Sequence, residues 1–289
     1  MLEQMSEWRP LSKRGRSDER LDEPTEGLPP YLAGPLISWL QRMFRDSYGA
    51  ISRKRLEFLQ LKFKLDPTLD WEFGVESAFQ DLRERIDVDE EFGLDVIDFV
   101  LSHMRVYTDQ YDNPAELAGE AGQLFLLGGS AWEVNSGDDG SYTLSRRAVG
   151  PVKEALESIS TSTRAHQHLV KAWNHLAGRN PDVSAAYREA VKAVEAAAKP
   201  VVLPENDRAT LGQMIAAIKD KGDKWTATLG TLDDVRRLME IVWKAQLDRH
   251  GTDDESIPFS VSAEEADAAF AICLNLSRLF AGGHVVPKI

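Results

Sequence analysis

The residues richest in chemistry stand at the end of one stretch, Val235-Arg-Arg-Leu-Met-Glu-Ile-Val-Trp-Lys-Ala-Gln-Leu-Asp-Arg-His-Gly251. Arg249 and His250 are adjacent, with Asp248 just before them and Lys244 upstream. A histidine titrates near neutral pH and serves as a general base or acid, while an arginine or lysine keeps its charge and steadies a developing anion. Val235, Leu238, Met239, Val242 and Trp243 repeat at the spacing of a helix with one buried face. Continued by helical steps, that face reaches Gln246, then Arg249 and His250, where apolar residues would be expected. Gly251 suits the left-handed position that ends a helix. The spacing thus predicts a packing helix that carries a guanidinium and an imidazole to its last turn, beside the core. The same two cations would also complement the negative end of the helix dipole, worth about 0.3–1 kcal/mol each. The helix end reads as a reactive site or as a cap.

The composition bounds what such a site could serve. The chain has 289 residues, 43% hydrophobic and 28% charged, as expected of a globular protein with one large domain or two ordinary ones. Its formal net charge is −13 and it holds no long basic run, which argues against broad, non-specific tracking of nucleic-acid phosphates and leaves room for a small local cationic pocket. No apolar run approaches the roughly 20 residues of a membrane span, so no membrane association is expected. The opening Met1-Leu-Glu-Gln-Met5 carries an acid and no apolar core, unlike a secretory signal. The single cysteine, Cys273, excludes an internal disulfide or a cysteine-based zinc cluster and fits a reducing cytoplasm.

Other chemistry-bearing residues are less convincing. His166 and His168 would point to different sides of a helix, and His168 and His175 share a face but lie about two turns apart, too far to share a metal. No metal and no cofactor is expected. Gly128-Gly129 and Gly137 to Gly140 lack the lysine and the strand–loop–helix context of a phosphate loop. Asp138-Asp139 and Asp253-Asp254-Glu255 read as solvated loops. Most of the tryptophans read as core, with Trp39, Trp173 and Trp225 as candidates for exposed recognition surfaces.

The elements that must position these residues are almost all helices. Residues 1–28 are mostly charged and polar and read as a flexible arm, whose Lys13-Arg-Gly-Arg16 cluster is solvated or touches an acidic partner. Residues 29–149 read as a helical N-terminal domain. Leu36, Ile37, Leu40, Met43 and Phe44 form one stripe. Further helices are predicted over about 52–65, 71–85, 90–107 and 115–127, the last opened by Asn113-Pro114. Ser130-Ala-Trp-Glu-Val134 and Ser141-Tyr-Thr-Leu-Ser145 alternate about a turn-rich loop, which predicts a β-hairpin, the one strand pair expected in the chain. Residues 150–289 read as a helical bundle, with helices over about 151–177, 182–199, 207–220, 231–250 and 262–281. Asn180-Pro181 would cap the second of these and Ser262-Ala-Glu-Glu265 the last. The fold class is mainly α.

Four features of the C-terminal half together carry a resemblance: Tyr187-Arg-Glu-Ala-Val-Lys-Ala-Val-Glu195, Thr210-Leu-Gly212, Arg249-His-Gly251 and a last helix starting at Glu264-Glu-Ala266. This half resembles the HEPN-type domain of bacterial abortive-infection proteins, in particular those with an AbiJ-like N-terminal region. The hairpin at Ala131-Trp-Glu-Val134 is similar to a short strand region of such chains. The resemblance implies a C-terminal HEPN-like helical bundle that forms a homodimer. It also implies anti-phage defence, in which many members are metal-independent endoribonucleases acting through an arginine and a histidine. In those enzymes four to six residues separate the two; here that places the cation at Trp243, Lys244 or Ala245, where only Lys244 is basic, and Arg249 adjoins the histidine instead. On this reading His250 would activate a ribose hydroxyl, and Arg249 and Lys244 would steady the phosphorane. Glu195, Asp248 or Arg188 would support them. The alternative is a non-catalytic sensing or assembly module in which the same residues bind a nucleotide, RNA or a defence partner protein.

Overall fold

The computed structural model describes residues 24–137, 139–244 and 261–288, together with the helical backbone of 245–250. It divides into two compact units, Met1–Arg147 and Ala148–Ile289. Both are mainly helical.

In the first unit α1 (Pro30–Phe44), α2 (Arg53–Phe63), α3 (Val75–Val88), α4 (Glu90–Ser102), the single turn α5 (Met104–Tyr107) and α6 (Pro114–Leu127) surround one apolar core. All five residues of the α1 stripe are buried. Asn113 accepts a hydrogen bond from the Ala115 amide with Pro114 at the first helical position, the predicted start of α6. The hairpin β1 (Trp132–Ser136) and β2 (Tyr142–Arg146) follows, with Val134 opposite Leu144. It is stitched to α4 by the buried Asp98, which accepts the Leu144 amide at 2.6 Å. Residues 24–28 belong to this packing rather than to an arm. Thr25 bridges to Ser130, Leu28 is buried, and its amide donates to Glu90 at 2.9 Å.

The second unit holds α7 (Gly150–Glu157), α8 (Arg164–Leu176), α9 (Val183–Val202), α10 (Leu211–Lys221), α11 (Leu232–His250) and α12 (Ala263–Ala281). The single helix expected over 151–177 is two. Ser158-Ile-Ser-Thr-Ser-Thr163 interrupts it, because Ser and Thr side chains compete for backbone hydrogen bonds, and Thr163 caps the second piece. Asp182 rather than Asn180 caps α9, accepting the Ala185 amide. Ser262 and Glu265 form the predicted capping box of α12. A second strand pair, β3 (Trp225–Ala227) with β4 (Val285–Pro287), adds to the hairpin anticipated from sequence. Trp39 and Trp225 are core, 2% and 7% exposed, rather than recognition surfaces. No helix among the described residues is long and apolar enough to cross a membrane.

Candidate functional site

The helix α11 is anchored where it begins and again just before its last turns. Thr231 and Asp234 bind each other at its start, the Asp234 carboxylate accepting both the Thr231 amide (2.9 Å) and hydroxyl (2.7 Å). Val235, Met239 and Val242 are buried as their spacing predicts. Leu238 is not. It is 38% exposed and, with Ile241 at 55%, forms an uncovered apolar strip on the outer side of the helix.

Near its end, α11 is gripped by α9 and α10. The buried Tyr187 of α9 donates its hydroxyl proton to the Val242 carbonyl at 2.5 Å. Trp243 lies flat against the start of α10. A Cβ on Gly212 would stand 2.7 Å from the Trp243 ring, so only glycine admits this approach. Gly212 is held in turn by the helix start around it. Thr210 and Gln213 form a reciprocal capping box, and Glu195 of α9 accepts the Leu211 amide at 2.7 Å. A carboxylate there also faces the positive end of the α10 dipole.

The residues singled out from sequence fall as follows. Lys244 is exposed on α11, immediately after the grip at Val242 and Trp243, and Arg188 is exposed on α9. Glu195 is half-buried and occupied by the α10 amide. The backbone of Asp248, Arg249 and His250 is helical, and their side chains lie outside the described residues. Tyr187, Glu195, Gly212, Val242 and Trp243 thus converge on one corner, which sequence reasoning reached only in part. The Trp243–Gly212 contact joins two distant segments and leaves no local signature beyond a glycine in the first turn of a helix.

A second cluster was also missed. His168 of α8 meets Glu189 of α9, Nδ1 to Oε2, at 2.7 Å, and Lys192 donates to the other carboxylate oxygen, also at 2.7 Å. Burial disfavours the charge on Glu189, but the bonds from Lys192 and His168 outweigh it and hold the carboxyl below its usual range. Glu189 follows Tyr187 by two residues, about 200° around α9, so this cluster does not share the Tyr187 side that grips α11. Among the described residues no group of three His, Cys, Asp or Glu is placed to hold a metal.

A groove of about 440 Å³ in the first unit is lined by Leu65, Asp66, Glu84, Arg85, Val88, Asp89 and Phe92. Its Asp89 caps α4 and its Arg85 is bonded to Asp81 and to the Pro67 and Thr68 carbonyls, so both are engaged in holding the fold. Comparison with known protein families, with characterised proteins and with solved structures gives no match.

Proposed function

We propose that this chain is an abortive-infection protein whose C-terminal half is a HEPN-like bundle acting as a dimeric, metal-independent endoribonuclease. The observation that carries the reading is the grip on α11. A helix whose last two turns hold Lys244, Asp248, Arg249 and His250 is fixed at Val242 and Trp243 by a buried hydroxyl and by a ring on a glycine. Catalysis by acid–base chemistry needs such groups held in place, since a small misplacement costs orders of magnitude in rate. His250 removes the proton of the attacking 2′-hydroxyl, whose oxygen bonds to phosphorus as the P–O5′ bond breaks. The products are a 2′,3′-cyclic phosphate and a 5′-hydroxyl that takes its proton from the imidazolium or water. Arg249 and Lys244 stabilise the charge that gathers on the non-bridging phosphorane oxygens. The exposed Leu238 and Ile241 precede Lys244 on the same helix, Ile241 by one turn and Leu238 by nearly two. They supply an apolar strip for a second copy, which would bring two such helix ends together. A chain that cuts cellular RNA fits the cytoplasm and a role in defence.

A second reading, a non-catalytic module that binds a nucleotide, RNA or a defence partner, is favoured by one observation. One oxygen of Glu195 accepts the Leu211 amide, so this carboxylate already serves the start of α10. The two readings part on labelled total RNA and tRNA incubated in EDTA with wild type, Arg249→Ala and His250→Ala, with light scattering on the same samples. The enzyme reading predicts cutting by wild type, lost by at least a hundredfold in both variants with dimers intact. Cutting that survives His250→Ala would overturn it.

A further inference from the structure

We infer that the outer face of α2 in the first unit is a docking surface for single-stranded RNA. In a chain of net charge −13, α2 reads Arg-Lys-Arg-Leu-Glu-Phe-Leu-Gln-Leu-Lys-Phe, four cations against one acid, and Lys64 follows as its C-cap. The adjacent helices have the opposite sign. α4 carries Glu90, Glu91, Asp95 and Asp98 with no cation, and α3 has four acids against Arg83 and Arg85. The basic charge is therefore local and one-sided.

One of these cations is structural. Arg55 is buried and donates to the Met43 and Arg45 carbonyls and to Asp109. The other four, Arg53, Lys54, Lys62 and Lys64, are exposed. Among the described residues only Arg53 has a carboxylate partner, Glu57 at 2.7 Å, and that pair is solvated and weak. Between the cations lies Leu61, 72% exposed, an apolar side chain with no cover.

The face is not only charged. The Arg53 guanidinium sits over the Trp71 ring, 5.1 Å from its centre, and the Lys62 ammonium over the Phe58 ring at 5.7 Å. Trp71 is held in place by its indole N–H, which donates to Gln60 at 3.0 Å, and the same Gln60 oxygen accepts the Leu69 amide. Phe73, nearby in the chain, is 81% exposed. The nearby acids are Glu57, Asp66, Asp70 and Glu72; Asp70 accepts the Glu72 amide.

Exposed cations alternating with aromatic faces are the combination that binds single strands, where phosphates follow the cations and unstacked bases lie on the rings. Phe58 packs inward against Phe99 and Tyr107, so the rings at the surface are the half-buried Trp71 and the exposed Phe73. An acidic peptide would satisfy the charge but leave these two rings without flat partners. A duplex would offer phosphates with its bases already stacked. The surface adds to the ribonuclease reading a binding face of its own for the same class of substrate, and it is testable without any cleavage.

The test is fluorescence anisotropy of a labelled oligouridylate of about 12 nucleotides with the full-length His250→Ala chain in EDTA. Poly-glutamate and a duplex serve as competitors. Lys54→Glu with Lys62→Glu should weaken binding at least tenfold and lower the salt slope by about 1.4, two phosphates at about 0.7 each. Trp71→Leu should weaken it by about fivefold or more, as loss of a stacked base does. The lysine variants replace exposed side chains, and a thermal melt verifies their fold. Competition by duplex should be poor. The inference is overturned if the chain does not bind the oligonucleotide, if the double charge reversal leaves affinity unchanged, or if poly-glutamate competes as well as single-stranded RNA. Because His250 is replaced throughout, an absent nuclease activity leaves this result unaffected.

Discussion

The two units are both helical, yet they pack in different ways. The first is built on large rings. Phe44 lies 5.1 Å from Tyr107 and 5.7 Å from Phe79, and Phe99 lies 5.3 Å from Phe63. Short, irregular helices suffice there, because bulky side chains fill the gaps and buried polar groups such as Arg55 and Asp98 tie loops and the hairpin to the core. The second is built on small side chains. α9 buries Ala185, Ala186, Ala190, Ala193, Ala197 and Ala198, which lets neighbouring helix backbones come close along its whole length. Rings bridge wider gaps between helices, whereas an alanine-lined helix is covered only when its neighbours come close. The second unit is thus the better scaffold for presenting a helix end in a fixed place, and the first is the better carrier of an exposed binding face.

This contrast can be broken most strongly at Arg55. Arg55→Leu removes a buried guanidinium and leaves two carbonyls and Asp109 without their donor, so the first unit should lose about 3 kcal/mol in urea unfolding. An equal loss on replacing an exposed lysine such as Lys54 would contradict the assignment. Next in size is the close approach in the second unit. Gly212→Ala puts a methyl group 2.7 Å from the Trp243 ring, which must move away, at a cost of about 1–3 kcal/mol measured the same way. Tyr187→Phe keeps the ring and removes the bond to Val242, so about 1 kcal/mol should be lost. If the helix end is catalytic, RNA cleavage should fall by more than that stability change explains.

The smallest effect sharpens the comparison through pH. Glu189 has its carboxyl held below the ordinary value of 4.5 in the folded chain, by Lys192 and His168 against the opposing effect of burial. Its contribution is therefore complete above that value and fades as pH falls through the lowered one. Melting temperatures of wild type and Glu189→Gln should differ at neutral pH and converge in acid. A difference that persists unchanged in strong acid, well below the ordinary carboxylate range, would remove the charge-based account of this cluster.

How much of this could be read beforehand depended on how local the cause was. The stripe of α1 and the caps at Asn113 and Ser262 lie within a few residues, and they appear where the spacing puts them. The break before α8 escaped because Ser158 to Thr163 contains neither glycine nor proline. The β3–β4 pair escaped because its strands come from distant parts of the unit and are three residues each. Leu238 fitted the helical spacing yet lies at the edge of the buried face, where exposure depends on the neighbouring element rather than on periodicity. At the candidate site the helix and its basic end were legible. The grip of Tyr187, Gly212 and Trp243 was not, since each contact joins elements far apart in sequence.

The most direct measurement mixes two inactive chains. Wild type, Arg249→Ala, His250→Ala and an equilibrated equal mixture of the two variants are assayed on labelled tRNA in EDTA. If Arg249 of one copy works with His250 of the other, half the dimers in the mixture are mixed and each holds one intact site. The account predicts that wild type cuts, that each variant alone is silent, and that the mixture recovers roughly a quarter of wild-type activity, by additive counting of sites. A wild type that cuts nothing, or a mixture as silent as its components, would contradict a nuclease site assembled from paired α11 ends.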